Sequence, residues 1–449
     1  MKSGKYDRAA VLLTNAICEP TASDMAPLSY SSKRFEAIDS STLALFTSRG
    51  VALAQSHDFN AAIADFNTAI SKGLSLTSEE ILWMARSHLY LGSTASALFI
   101  IEDVLRLDPQ NEDARALRKR LMALEVHIQS YQKAQSCANW RAARTAYQSC
   151  LTIFAEENGP LPVQFRCWGI ELQLAECDWE KAVSGTEYLL SKEPEAVQVI
   201  TLRAVVLLLV GNCSEALLHL AVVLRLDPDN KNLLALRTRC KDIKQLQEEG
   251  ETLGLGGKWS EAIRKWNEAL TLVGEKGTEG GGGPLRAKLL HRIANGQLKL
   301  GQLSDGLRTI DSALKLDQVS PRAHIVRGRL HLALRLYDLA VDDLKAAVQY
   351  GISKLNQDEL AELQAELASA TRKAAAERGR PPNYYSVLGL PRRCTASDIR
   401  KAYTTQALKH HPDKGGMEEM FKRVFEAYSV LKDPKARRSY DATLSASHG

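Results

Sequence analysis

The sequence lacks several features that would point to particular classes of protein. No apolar run approaches the roughly 20 residues that a membrane-spanning helix needs, the longest being residues 204–210. The amino end has no apolar segment of the kind found in secretory signals. The cysteines are scattered without a C-x-x-C pair, so neither a zinc site nor a disulfide framework is indicated. We therefore expect a protein of the cytoplasm or nucleus that needs no metal or cofactor and does not associate with membranes.

Net charge is also missing from most of the chain. Residues 383–449 hold 12 Lys and Arg against 7 Asp and Glu, which accounts for the whole net charge of +5. Residues 1–382 are therefore neutral. A segment with its own charge balance is a reason to expect a separate function there.

One pattern recurs along most of the neutral part. Its clearest copy has a small residue at Ala262, a large one at Trp266 and a small one at Ala269. Residues at these spacings share one helix face, and the small ones let a second helix approach closely. The first small residue recurs at Ala9, Ala62, Ala97, Ala143, Ala182, Ala216, Ala262, Gly306 and Ala340. With the helix that precedes it, each copy resembles the tetratricopeptide repeat (TPR). The resemblance implies an all-α solenoid of about nine helix–turn–helix repeats with a concave binding surface.

The spacing of the repeats predicts the organisation of the array. Three of the spacings are 34 or 35 residues, and the longer ones predict extended helices or loops. The first repeat lacks its first helix, because residues 4–6 correspond to its internal turn. The glycines at 280–283 predict a flexible insertion between the seventh and eighth repeats. We divide the array into modules at residues 1–110, 111–240 and 241–352.

Residues 353–382 are predicted to bridge the repeats to the last segment. The stretch from Gln357 to Arg378 is rich in Ala, Glu and Leu, which favours a single helix. At 1.5 Å per residue this helix would span about 33 Å. Pro381 and Pro382 would end it and begin a new unit.

Residues 383–449 contain the sharpest motif. Two apolar faces at helical spacing predict two antiparallel helices joined by a tight loop, with Thr395 or Ser397 capping the first. The faces consist of Ile399, Ala402, Tyr403 and Ala407, and of Phe421, Val424, Ala427, Tyr428 and Leu431. The loop contains His411-Pro412-Asp413. Together these features make the segment similar to a J domain of four helices.

The resemblance to J domains implies docking on ATP-bound Hsp70 and stimulation of ATP hydrolysis by that partner. Pro412 would preform the loop, and Asp413 would offer a carboxylate to an arginine of Hsp70. The family usually has two further basic residues where this chain has Thr404 and Thr405, which predicts a weaker charge on the docking face. The implied contacts are His411, Pro412 and Asp413, with Arg400, Lys401, Tyr403 and Lys409 on the preceding helix meeting an acidic Hsp70 surface.

The layout also resembles co-chaperones that combine TPRs with a carboxyl-terminal J domain. In that family, some TPR modules hold the acidic tails of Hsp70 and Hsp90 in a clamp of Lys, Asn and Arg side chains. Carried over by repeat position, the clamp residues become Gln247, Glu251, Arg292, Arg322 and Val326. Gln247, Arg292 and Arg322 are thus candidates for a peptide groove, although Glu251 would repel a carboxylate. Hsp90 or an unfolded client is the partner implied for the repeats.

These features predict a co-chaperone without enzymatic activity of its own. One alternative is a TPR scaffold with a weakened J domain, and another is a member of the TPR/J family of the ER lumen that captures misfolded chains. Binding of nucleic acid by the basic end, through Arg437 and Arg438, is less favoured because acidic residues are interleaved there. The sequence contains no recognisable catalytic triad or nucleotide-binding loop.

Overall fold

The structure, a computed structural model, describes residues 3–18, 40–274, 281–378, 383–411 and 418–446. These residues form 22 α-helices, and no strand occurs among them. In chain order the helices are α1 (Ser3–Cys18), α2 (Ser40–Gln55), α3 (Phe59–Ser71), α4 (Ser78–Tyr90), α5 (Thr94–Leu107), α6 (Glu112–Ser136), α7 (Trp140–Glu156), α8 (Val163–Ala175), α9 (Trp179–Lys192), α10 (Val197–Val210), α11 (Cys213–Leu226), α12 (Lys231–Leu255), α13 (Trp259–Val273), α14 (Gly283–Lys299), α15 (Leu303–Leu316), α16 (Pro321–Ala333), α17 (Tyr337–Gly351), α18 (Gln357–Arg378), α19 (Tyr384–Leu388), α20 (Ala396–His410), α21 (Glu418–Lys432) and α22 (Pro434–Ala446).

The predicted repeats are present as helix pairs, which confirms the all-α fold. The second helix of each pair carries the small residue of the repeat, and its alanine is completely buried in α3, α5, α7, α9, α11, α13 and α17. In α15 a glycine takes this place, because a Cβ at Gly306 would lie 2.9 Å from Leu330 Cδ2 of α16. Residues 4–6 belong to α1 (Ser3–Cys18), so the prediction that they form the internal turn of the first repeat is wrong.

The turn inside a repeat has a recurring backbone form. Cys177 adopts a positive φ of 61°, and the next residue, Asp178, caps α9 by accepting a hydrogen bond from the Lys181 backbone N–H. The same arrangement precedes α7, where Ala138 has a φ of 53° and Asn139 caps the helix. A short polar side chain at this position satisfies a backbone N–H at the helix start that has no partner within the helix.

Two long helices explain the two spacings of 46 residues in the array. Both α6 and α12 contain 25 residues. In each case a short turn, at residues 108–111 or 227–230, follows the preceding repeat, and the first helix of the next repeat is itself lengthened. Of the two options that the sequence left open, an extended helix is therefore correct at both places.

The chain divides into two compact units within α10, one within Met1–Val206 and the other from Leu207 onwards. The predicted bridging helix is confirmed as α18, with the expected bounds. It packs on α17 through a cluster that contains Leu344 and Ala347 of α17 and Leu363 and Ala370 of α18.

The last four helices enclose a separate small core. Tyr385 and Leu388 of α19, Ile399 of α20 and Val424 of α21 are buried in it. Within the described ranges, no helix is both long and apolar enough to cross a membrane.

Candidate functional site

The α20 helix begins at a complete capping box. The Thr395 hydroxyl accepts a hydrogen bond of 3.2 Å from the Asp398 backbone N–H, and Asp398 Oδ2 accepts one of 2.9 Å from the Thr395 backbone N–H. Thr395 is therefore the cap, whereas Ser397 lies inside the helix. The cap fixes the end of α20 that is remote from the His411 loop.

The α20 and α21 helices form the predicted antiparallel hairpin. Tyr403 stacks on Tyr428 with ring centroids 4.0 Å apart, and His411 contacts Phe421 edge to face at 5.5 Å. His411 follows Tyr403 in the chain, whereas its partner Phe421 precedes Tyr428. The two helices therefore run antiparallel. Of the loop tripeptide, His411 is placed by this contact, whereas Pro412 and Asp413 lie outside the described residues.

The candidate basic residues lie on the exposed side of α20. Arg400, Lys401 and Lys409 are all exposed. Thr404 and Thr405 are exposed as well, and their hydroxyls donate to the carbonyls of Arg400 and Lys401 at 3.0 and 3.1 Å. The hydroxyls of the two threonines are therefore hydrogen-bonded to the backbone of their own helix. Among the candidate residues on this face, the positive charge comes from Arg400, Lys401 and Lys409. Tyr403, by contrast, contributes to the core of the hairpin.

Arg437 of α22 has a structural role that the sequence did not indicate. Its Nε donates to Tyr385 Oη at 2.7 Å, and its Nη2 donates to the carbonyls of Arg392 and Cys394 at 3.2 and 2.9 Å. Tyr385 Oη in turn donates to Asp441 Oδ1 at 2.8 Å. The guanidinium thus ties α22 to α19 and to the loop before α20, and is used inside the domain rather than offered to a phosphate.

The candidate TPR residues lie on α12, α14 and α16 and are largely engaged with other side chains. Arg292 forms an ion pair with Glu251, and Arg322 Nη2 lies 3.4 Å from Glu359 Oε1 of α18. Gln247 is buried, and its Nε2 has no hydrogen-bond partner. The structure thus brings acids against both candidate arginines, and neither of these pairs was predicted.

The region between α14, α16 and α18 contains a cavity of about 260 Å³. Arg322, Val326 and Glu359 line it together with His291. Burial and the nearby charges of Arg292, Arg322 and Lys288 lower the pKa of His291 to about 4, so the imidazole is neutral at pH 7. Glu359 and Arg322 therefore lie together on the wall of this cavity, and the neutral His291 adds no positive charge to it.

A buried carboxylate connects α16 and α17. Asp343 accepts hydrogen bonds from Arg327 Nε and Nη2 at 2.9 and 2.6 Å, and its Oδ2 lies 2.7 Å from His331 Nδ1. The second repeat has a matching pair, in which Arg49 Nε and Nη2 donate to Asp65 at 2.7 and 2.6 Å. Each aspartate follows the small residue of its repeat by three positions, so an alignment of the repeats could have indicated both pairs.

Comparisons with known proteins agree with this architecture. Residues 383–441 match the family model of the DnaJ domain, and residues 291–353 match that of a tetratricopeptide repeat. The chain is 29% identical to the DnaJ homolog subfamily C member 7 homolog of Schizosaccharomyces pombe over 64% of its length, and it spans 58% of that relative. The DnaJ homolog subfamily C member 7 of Homo sapiens is 25% identical over 80% of this chain and 70% of its own length.

Two further comparisons concern proteins with P58 in their names. The DnaJ protein P58IPK homolog of Arabidopsis thaliana is 27% identical over 61% of this chain and 54% of its own length. The crystal structure of the P58(IPK) TPR domain superimposes with a TM-score of 0.48 at 17% identity, covering 85% of this chain and 100% of that one. The chain thus combines tetratricopeptide repeats with a carboxyl-terminal DnaJ domain, as shown by its helix pairs, the α20–α21 hairpin and the two family matches. It resembles the DnaJ homolog subfamily C member 7 proteins.

Proposed function

We propose that the chain is a co-chaperone that docks on Hsp70 through its J domain and stimulates ATP hydrolysis by that partner. The observation that carries this proposal is the hairpin of α20 and α21, which presents His411 at its end beside an exposed basic face. The similarity to proteins named as DnaJ homologs supports the same role. In this proposal the chain has no enzymatic activity of its own and works in the cytoplasm.

The repeats would hold a client or another chaperone while the J domain acts. Exposed apolar side chains on the repeat helices, such as Phe99 of α5 and Leu218 of α11, support contact with apolar client segments. The acids opposite Arg292 and Arg322 favour a client over an acidic chaperone tail, because a carboxylate ligand would have to displace them.

The test is single-turnover ATP hydrolysis by a purified Hsp70 in the presence of the full chain. The wild type should accelerate turnover in a concentration-dependent manner. Asp413→Asn should lower this effect by about 30-fold or more, since loss of one charge from a close ion pair costs about 2 kcal/mol or more. Wild-type stimulation that is unaffected by Asp413→Asn would contradict the proposed mechanism.

A second candidate function is a TPR scaffold whose J domain couples weakly to Hsp70. The observation in its favour is the pair of uncharged residues Thr404 and Thr405 on the docking face. It predicts negligible stimulation by the wild type and recovery in a Thr404→Lys/Thr405→Arg variant.

Running the assay with a cytosolic and an ER-luminal Hsp70 in parallel distinguishes the cytoplasmic proposal from the luminal alternative.

A further inference from the structure

The loop between α19 and α20 forms one wall of a pocket on the J domain. The pocket has a volume of about 320 Å³. Leu390, Pro391 and Arg393 line it from the loop side, and Lys401 and Thr405 line it from α20. It therefore extends the basic face of α20 toward the loop, away from the His411 end.

The pocket has an excess of positive charge. Arg393 and Lys401 are exposed, and the carboxylate on its wall, Asp398, is committed to the cap of α20. Hydrogen bonds from Thr395 hold the pKa of Asp398 below its ordinary value, so this carboxylate stays ionised within the cap. The pocket therefore carries two cations, Arg393 and Lys401, against one carboxylate that interacts with Lys401, and this excess of positive charge suits an acidic group from a partner.

The backbone that carries Arg393 is held in place. Arg437 Nη2 donates to the carbonyls of both neighbours of Arg393, Arg392 and Cys394. The side chain of Arg393 is thus presented from a fixed segment, which reduces the conformational entropy lost when a partner binds. Leu390 and Pro391 add an apolar wall to the pocket.

We propose that this pocket is part of the Hsp70-docking surface and receives an acidic segment of Hsp70 between Arg393 and Lys401. This inference rests on the proposed function. Arg393 lines the same pocket as Thr405, so the loop supplies a cation next to a helix position that is uncharged. The docking face thereby extends toward the loop, and Arg393 is a further docking residue on it.

The test compares two neighbouring arginines in the full chain. Arg393→Ala should raise the concentration needed for half-maximal stimulation of Hsp70 by about five- to tenfold and leave maximal stimulation nearly unchanged. Arg392→Ala removes the same charge from a residue outside the pocket and should change this concentration by less than about twofold. Adding Thr405→Arg to Arg393→Ala should restore most of the loss, because it returns a cation to the same pocket.

The outcomes separate the two proposals. If the wild type stimulates Hsp70 and both alanine variants behave alike, the inference about the pocket is wrong and the proposed function stands. A wild type that leaves ATP turnover unchanged overturns the proposed function and this inference together. Raising the ionic strength should weaken docking of the wild type more than docking of Arg393→Ala, since exposed charge contacts are screened by salt.

Discussion

Tyr403 of α20 stacks on Tyr428 of α21, with ring centroids 4.0 Å apart and ring planes inclined by 13°. The contact lies about two turns from the end of α20, where His411 meets Phe421. The two aromatic pairs together set the register of the hairpin and so determine where the His411 loop begins. Tyr403 was predicted as a docking residue, and that role stays a prediction; in the structure its ring packs within the hairpin and holds the helix that carries the basic residues.

Replacement of Tyr428 by alanine should loosen the J domain. Loss of the stacked ring removes buried area and an aromatic pair, which costs about 2–3 kcal/mol at a partly buried site. We expect faster amide hydrogen exchange in α20 and α21 of the full chain, with the repeats unchanged. Tyr428→Phe keeps the stacked ring and should leave exchange within about twofold of the wild type. Equal exchange in the alanine variant would show that the stack does not hold the hairpin.

Removal of the Arg437 side chain should destabilise the junction of α19, α22 and the loop before α20. Arg437→Ala leaves Tyr385 Oη and two backbone carbonyls without their donor, at a cost of about 1–3 kcal/mol. Hydrogen exchange of residues 384–395 in the full chain measures the effect. The matched control is Arg438→Ala, because Arg438 is exposed and its Nε donates to the Pro434 carbonyl of its own helix. Similar changes in both variants would contradict this role.

Glu251 and Glu359, which lie beside the candidate TPR arginines, are predicted to weaken the binding of acidic peptides at this site. Glu251→Gln should free Arg292, and Glu359→Gln should free Arg322, because each removes the carboxylate that now occupies the guanidinium. We expect the double variant to bind a peptide with an acidic tail about three- to tenfold more tightly than the wild type. Fluorescence anisotropy of a labelled peptide measures this difference.

The control for this experiment is the same peptide with an amidated carboxyl terminus. A gain that depends on the free carboxylate identifies the terminus as the ligand of the freed arginines, whereas an equal gain for both peptides assigns the effect to acidic side chains. Unchanged affinity for both would mean that Glu251 and Glu359 do not compete with a ligand.

The helices of this chain could be predicted from the sequence because their determinants are local. The bounds of α18, Gln357 to Arg378, follow from composition and from Pro381 beyond its end. The small residues of the repeats mark the second helices, since their spacing reflects one helix face. The 46-residue spacings were ambiguous because a continuous helix and a helix followed by a loop can have the same length in residues.

The contacts between helices could not be predicted in the same way. Glu251 and Arg292 lie on different helices, and so do Arg322 and Glu359, and only the packing of α12, α14, α16 and α18 brings them together. Arg437 and Tyr385 are separated by most of the J domain in sequence. From the sequence, a charged residue suggests an exposed or ligand-binding position. Its ion-pair partner can be identified only when the fold shows which helices pack together.

The buried Asp343 predicts a pH dependence that is confined to the ninth repeat. Burial alone would raise the pKa of Asp343, but hydrogen bonds with His324, His331 and Arg327 outweigh burial and hold the pKa far below its ordinary value. A carboxyl with a lower pKa in the folded than in the unfolded chain stabilises the fold above its unfolded pKa, near 3.9. This contribution is lost progressively as the pH falls below about 5.

Asp343→Asn should therefore destabilise α16 and α17 at pH 7 by about 2–4 kcal/mol, because it removes the charge that Arg327 and the two histidines face. Hydrogen exchange of α16 and α17, corrected for the intrinsic rate at each pH, should show the wild type losing protection between about pH 5 and 3 and the variant changing less. Asp311→Asn is the matched control: Asp311 is half exposed and contacts Arg327 Nη1 at 3.1 Å, so its loss should cost less than about 1 kcal/mol. If the wild type and Asp343→Asn lose protection in parallel over this range, the pH dependence of the ninth repeat originates in another group.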